Sequence, residues 1–260
     1  MFGVVPKPLW QKQVPADEHN RIQLNTNCLL VETPQLKILV DTGYGSKLSE
    51  KELRHIVGEA GNPIVENLGR AGVAAEQIDI VIFSHLHFDH SCGATKRTDS
   101  GEIVPVFSRA RHIVQRLEWE DATSARPELA GSYETAELLA LEKHGLLELV
   151  EDDHEVCSGV SVQRTAGHTR GHQIIKIDSG GQQAAYLGDI CPTSAHLKTF
   201  WIMAYDLFPG DVRRMKPLIL QSMADSQTLL LFDHDPNIQA ARLQRDDKGQ
   251  VTVSETIPLI

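Results

Sequence analysis

Four metal-capable side chains, His85, His87, Asp89 and His90, fall within six residues directly after the run Ile78-Asp79-Ile80-Val81-Ile82-Phe83. That run is short, apolar and β-branched, as buried strands are, so the histidines are expected on a loop at a strand end. A folded chain has little structural use for so many neighbouring imidazoles. Imidazole nitrogen and carboxylate oxygen are, however, the donors that suit zinc and its first-row neighbours. Alternation with Leu86 and Phe88 would send donors one way and apolar anchors the other. Rigid strands that fix geometry beneath loops that carry reactive groups are the usual way to build such a site.

The rest of the chain supplies the frame. Strand-like runs are read at 21–32 and 36–41, separated by Thr33-Pro34-Gln35, then near Val104 and Ile113, and at 160–165, 173–178, 184–187, 228–232 and 251–253. The tight turn Ser179-Gly180-Gly181 makes a hairpin of two of them. Helices are expected at 50–59, 63–71, 132–144 with Ser132 as its cap, and 211–224 with a kink at Pro217. Strands clustered in two halves, each flanked by helices, predict an α/β fold with two sheets face to face and helices outside. Nothing in the composition marks a linker, so residues 1–260 are read as one domain.

Composition excludes several functions. A formal charge of −10 would repel a phosphate backbone, so no nucleic-acid partner is expected. No basic leader precedes an apolar stretch and no run reaches the length of a membrane helix, which predicts a cytoplasmic protein with no membrane partner. Cys28, Cys92, Cys157 and Cys191 are scattered without a CxxC pair, so neither a thiolate knuckle nor a disulfide framework is implied. No GxSxG elbow and no GxxxxGK loop is present.

Three later residues, His168, Asp189 and His234, each follow a strand-like run as His85 does. A lone histidine is as often structural as functional. His172, four residues past His168, is read as a supporting residue or a strand start, and His19, His55, His112, His144, His154 and His196 carry no pattern. Asp41 either orients a histidine or forms the turn before Gly43.

The segment His85, His87, Asp89, His90 matches the HxHxDH loop of the metallo-β-lactamase superfamily, and the chain resembles that family in most of its length. Leu39-Val40-Asp41-Thr42-Gly43, Thr165-Ala166-Gly167-His168, Leu187-Gly188-Asp189 and Phe232-Asp233-His234 follow in the family's order. The resemblance implies an αββα sandwich of two packed mixed sheets flanked by helices. It also implies two divalent metal ions: His85, His87 and His168 on one, Asp89, His90 and His234 on the other, and Asp189 bridging. Zinc is the first expectation, with manganese, iron or cobalt open. Two ions about 3.5 to 4 Å apart can share one solvent molecule and make hydroxide available at neutral pH. The implied reaction is attack of that hydroxide on an ester, lactone or phosphotriester, beside the carboxylates Asp89 and Asp189.

Within the superfamily the loop wording is similar to that of the acyl-homoserine lactonase and methyl parathion hydrolase group. A bridging Asp189 is unlike true β-lactamases, and the tail Val251-Thr252-Val253-Ser254-Glu255 is unlike the helical extension of glyoxalase II. A glyoxalase-like thioester hydrolase, an iron-dependent sulfur dioxygenase-like enzyme and a noncatalytic zinc-bound module are the alternatives. The lactonases have a Tyr three residues after the bridging Asp, where this chain has Pro192. A replacement is sought in Thr199-Phe200-Trp201-Ile202-Met203-Ala204-Tyr205, whose Tyr205 either offers its hydroxyl to the site or belongs to ordinary packing. Phe2 and Trp10 either wall the pocket or cover a homodimer surface. The expected partner is a small-molecule substrate.

Overall fold

The computed structural model describes residues 1–124, 126–129 and 131–258, and the chain divides into two compact units. One is Cys28–Glu151; the other joins Met1–Asn27 to Asp152–Ile260.

The first unit contains β1 (Leu29–Glu32), β2 (Lys37–Val40), β3 (Ile80–Ile82), β4 (Thr95–Arg97), β5 (Ile103–Pro105), β6 (Arg111–Gln115) and β7 (Leu147–Val150). Its main sheet runs β1-β2-β3-β6-β7, and β4 and β5 form a separate ribbon. Only the β1–β2 hairpin of the main sheet is antiparallel; β2, β3, β6 and β7 run together. Parallel strands need crossovers, supplied between β2 and β3 by helices Glu50–Ile56 and Pro63–Arg70. Ser49 and Glu52 close a reciprocal cap on the first of these. All three residues of β3 are buried, which is why the run Ile80–Ile82 is continuously apolar rather than alternating. Leu39, Val81, Phe83, Val114 and Leu141 belong to the core this sheet shares with its helices. Because β2 and β3 point the same way, with Val40 paired to Ile82, the segments beginning at Asp41 and at Phe83 leave one edge.

The second unit contains β8 (His154–Cys157), β9 (Val160–Arg164), β10 (Gln173–Ser179), β11 (Gln182–Tyr186), β12 (Leu229–Leu231), β13 (Ala240–Arg245) and β14 (Val251–Ile257), ordered β14-β13-β12-β11-β10-β9-β8. Strands β9 and β11 are each antiparallel to β10, and β12 is parallel to β11. The chain therefore leaves β9, β11 and β12 at one edge, the edge that receives His168, Asp189 and His234. Between β10 and β11, Gly180 and Gly181 take φ of +60° and +78°, which a tight hairpin turn requires and only glycine adopts freely. Helix Pro209–Asp225 makes the crossover to β12 and continues through Pro217. Its Val212, Ile219, Leu220 and Met223 meet Ile174, Leu187, Leu230 and Phe232 in the core of this unit.

The sequence reading needs correction at several ends. The stretch 21–28 is not strand, and helix 50–59 stops at Ile56. Ser132 does not cap the next helix, which runs Thr135–Lys143 behind Glu134; instead the Ser132 carbonyl accepts the Phe88 N–H. Phe2 neither faces solvent nor waits for a partner. It is buried, stacked on His196 at 4.8 Å and set edge-on to Trp201 at 5.3 Å. No helix among the described residues is long and apolar enough to cross a membrane.

His112, in β6, is wholly buried, and its Nδ1 lies 3.0 Å from the Ala110 carbonyl. Burial pushes its pKa down to about 4, opposed by hydrogen bonds with the Ala110 and Leu146 backbone. The fold thus holds the ring neutral, while the unfolded chain takes up a proton below about pH 6.5. Stability from this group is full above that value and is lost as pH falls toward 4. By about pH 5 the loss should be roughly 2 kcal/mol. Urea titrations at pH 7.5 and 5 should show that much less pH dependence in His112→Gln than in the wild type; an unchanged difference would contradict the assignment.

Candidate metal centre

In the unit Cys28–Glu151 the ligand loop is fastened from below by Asp41. Its φ is +56°, a left-handed conformation that aspartate tolerates better than most residues. Oδ1 accepts the Ser84 N–H at 2.7 Å, while Oδ2 accepts the Ser84 hydroxyl at 2.7 Å and the His90 Nδ1–H at 2.8 Å. An ionised carboxylate only accepts, so His90 carries its proton on Nδ1 and turns Nε2 outward as a donor to a cation. Since the Ser84 hydroxyl hydrogen goes to Asp41, its oxygen accepts from His85 Nδ1 at 3.1 Å, which puts the ring's lone pair on Nε2 in the same way. That nitrogen lies 3.1 Å from His87 Nδ1, a spacing suited to two ligands of one ion. Asp41 is thus an orienting residue as well as a turn residue.

Two further contacts fix this loop. Glu118 is wholly buried, and its Oε1 accepts the Leu86 N–H at 3.0 Å and the Tyr133 hydroxyl at 3.1 Å. The Tyr133 ring lies 5.1 Å from that of His87. Burial, followed by the Glu118 carboxylate, pushes the Tyr133 hydroxyl pKa well up, so it remains a donor. Gly93 sits so close to the Asp41 turn that a Cβ there would lie 1.9 Å from the Thr42 carbonyl oxygen. Beside Tyr133 is a cavity of about 300 Å³ bordered by Asp121, Ser124, Arg126, Leu129 and Thr135. Asp89 is less enclosed: its side chain is 28% exposed, with Oδ2 3.9 Å from His90 Nε2.

In the other unit, His168 follows Ala166 and Gly167, whose φ values are +52° and +97°. A Cβ on Gly167 would lie 2.8 Å from Val212 Cγ2, so the turn that aims His168 requires glycine. His168 Nδ1 donates to Asp206 Oδ1 at 2.9 Å, and His234 Nδ1 donates to the Asn25 carbonyl at 2.6 Å. Both rings therefore present Nε2, and both face Asp189. His168 Nε2 is 3.0 Å from Asp189 Oδ2, and His234 Nε2 is 3.2 Å from Asp189 Oδ1. One buried carboxylate divides its two oxygens between two imidazoles. Lone pairs so placed repel unless a proton or cation lies among them, and the donor types are those of a zinc-like ion. The residues present fit such ions.

Asp233 was given no role by sequence reasoning, yet its carboxylate gathers with Asp189 and His234 so that one ligand atom from each lies within 4.8 Å of the others. Asp206 was missed because it lies in a loop, far in sequence from His168. His172 immediately precedes β10, buried, with Nδ1 2.6 Å from the Thr165 hydroxyl, and among the described residues it joins no such group. In the aromatic run, Trp201, Ile202 and Met203 are core, whereas Phe200 and Tyr205 are 66% and 62% exposed.

A family model, the metallo-β-lactamase superfamily, matches residues 21–234. The chain belongs to this superfamily. The match passes through both units, and the mixed sheets with flanking helices are the metallo-β-lactamase fold. The chain is 31% identical over 232 residues to an N-acyl homoserine lactonase of Bacillus cereus, which covers 83% of each protein. It superposes on a protein of Staphylococcus aureus described as a probable metal-dependent hydrolase with a TM-score of 0.89 at 35% identity, covering 99% of this chain and 92% of that one. A dizinc quorum-quenching lactonase in complex with a product shares the fold, at TM-score 0.72 and 22% identity over 91% of this chain and 81% of that one.

Proposed function

We propose that this superfamily member is a dinuclear metal-dependent hydrolase of small ester, lactone or phosphotriester substrates, with lactones the first class to try. The observation that carries the reading is the division of the Asp189 carboxylate between His168 and His234. Membership of the superfamily and the similarity to an N-acyl homoserine lactonase support the class of reaction.

In this reading His85, His87 and His168 hold one ion, and Asp89, His90 and His234 the second, with Asp189 between them and Asp233 a further donor to the second. Bound divalent ions would make solvent acidic enough to attack at neutral pH and would polarise the electrophile. The chain's own part is to prepare that centre. Asp41, Asp206 and the Asn25 carbonyl hold His90, His168 and His234 in the tautomer that offers Nε2. Glu118 holds the backbone between His85 and His87, so both rings keep their aim. Asp89, whose side chain is 28% exposed, would be the second ion's solvent-facing ligand.

The test is a panel of lactones, aryl esters and phosphotriesters with zinc-, cobalt- and manganese-loaded protein, run beside a glutathione thioester and an oxygen-uptake assay for persulfide oxidation. Turnover in the first three classes with two equivalents of metal supports the proposal. Turnover only in the thioester or oxygen assay refutes it.

Tyr205 is proposed as the hydroxyl that replaces the one missing at Pro192. It is exposed, and it adjoins Asp206, which binds His168. Tyr205→Phe should lower kcat by about 10²-fold, the lower end of the 10² to 10³ range found when a donor to a developing oxyanion is removed, and leave Tm unchanged. Wild-type kcat would return Tyr205 to the ordinary surface.

A further inference from the structure

Lys216 is a fully buried lysine in the middle of helix Pro209–Asp225, where the sequence pattern would place an apolar side chain. Taking an ammonium out of water is costly unless it is well paired, and a methionine would fill the same space without that cost. What the ammonium does is donate to the carbonyl of Trp201 at 2.6 Å. Trp201 opens the segment that runs through Asp206 to Phe208, and this segment is bonded to the His168 loop at three points. Asp206 Oδ1 accepts from His168 Nδ1 at 2.9 Å, Leu207 N–H donates to the His168 carbonyl at 2.9 Å, and Phe208 N–H donates to the Gly167 carbonyl at 2.8 Å. The remaining Asp206 oxygen accepts the Met203 N–H at 2.9 Å, which closes the segment on itself. The Asp206 side chain has no exposed surface, and burial pushes the Lys216 pKa down.

We propose that Lys216 is a positioning residue for the metal centre: by fastening the Trp201 carbonyl, it sets Asp206 where it fixes the tautomer and aim of His168. The link rests on the reading of His168 as a metal ligand, and it adds a residue from the helix, outside all the loops that carry ligands.

Cobalt(II) titration of metal-free protein tests this, read by the visible absorption of the bound ion and by Tm of the metal-free form. The proteins are the wild type, Lys216→Met, Asp206→Asn, the double variant, and Met223→Ala as a control that damages the same helix in the core. The expected result is cobalt binding weakened about 10- to 100-fold in Lys216→Met with altered absorption bands, the range found when a residue that orients a ligand is lost. The double variant should bind no more weakly than Asp206→Asn alone, and Met223→Ala should lose Tm but keep wild-type affinity and spectrum. Wild-type affinity in Lys216→Met, or equal weakening in Met223→Ala, would overturn the link. If Lys216→Met does not fold, Lys216→Gln, which is polar but too short to reach the carbonyl, is read by the same criteria. Failure of the wild type itself to bind two cobalt ions would instead overturn the metal-centre reading on which the link stands.

Discussion

Asp189→Asn should bind fewer than two equivalents of zinc and lose hydrolytic kcat/KM by about 10³-fold or more, because several kcal/mol of charge stabilisation by metal passes with the ligand. The amide is nearly the same size, so the fold should survive with a small change in Tm. What it removes is the arrangement in which Oδ1 faces His234 and Oδ2 faces His168. An amide has one good acceptor and a nitrogen that cannot ligate, so one of the two imidazoles loses its partner. Elemental analysis beside a kinetic assay checks both halves of the prediction. Retained metal with lost activity would confine Asp189 to the chemistry, and retention of both would remove it from the centre.

Asp41→Ala should be the most destabilising single change among the residues that support the ligands. Its buried carboxylate accepts from the Ser84 N–H, the Ser84 hydroxyl and His90 Nδ1. Leaving a buried donor without a partner costs about 1–3 kcal/mol each, so a loss of roughly 3–5 kcal/mol is expected from the three together once relaxation is allowed. His90 would also be free to take the other tautomer, which should weaken the metal about 10- to 100-fold. Asp41→Asn keeps acceptor capacity on one oxygen and should recover part of the stability. Urea unfolding of the metal-free and metal-loaded forms separates the two effects: a destabilisation seen only in the loaded form would show that Asp41 acts on the metal alone.

Much of this candidate centre was legible in the sequence because each segment that carries a candidate ligand follows a run with a strong strand signal. Ile80–Ile82 and Leu229–Leu231 are apolar and short, and the residues after them, Ser84–His90 and Asp233-His234, carry donors that no core would accept unpaired. The supporting residues were not legible in the same way. Asp206 reaches back across 38 positions to His168, and Glu118 across 32 to Leu86, distances at which spacing along the chain says nothing. Lys216 was hidden for the opposite reason. On a helix a lysine reads as solvated surface, and only the tertiary structure shows that this one is enclosed. Strand β13 was missed because Ala240-Ala241-Arg242-Leu243-Gln244-Arg245 is built from helix-forming residues; pairing with β12 and β14 overrides that preference. Strand β8 was missed because His154–Cys157 is polar and only partly buried, with an irregular register against β9.

The most direct measurement is anomalous diffraction from crystals grown with zinc, recorded on both sides of the zinc absorption edge. The account predicts two peaks, one against each oxygen of Asp189, with His168 Nε2 on the first and His234 Nε2 on the second. A single peak that Asp189 does not touch, or none among these side chains, would contradict it.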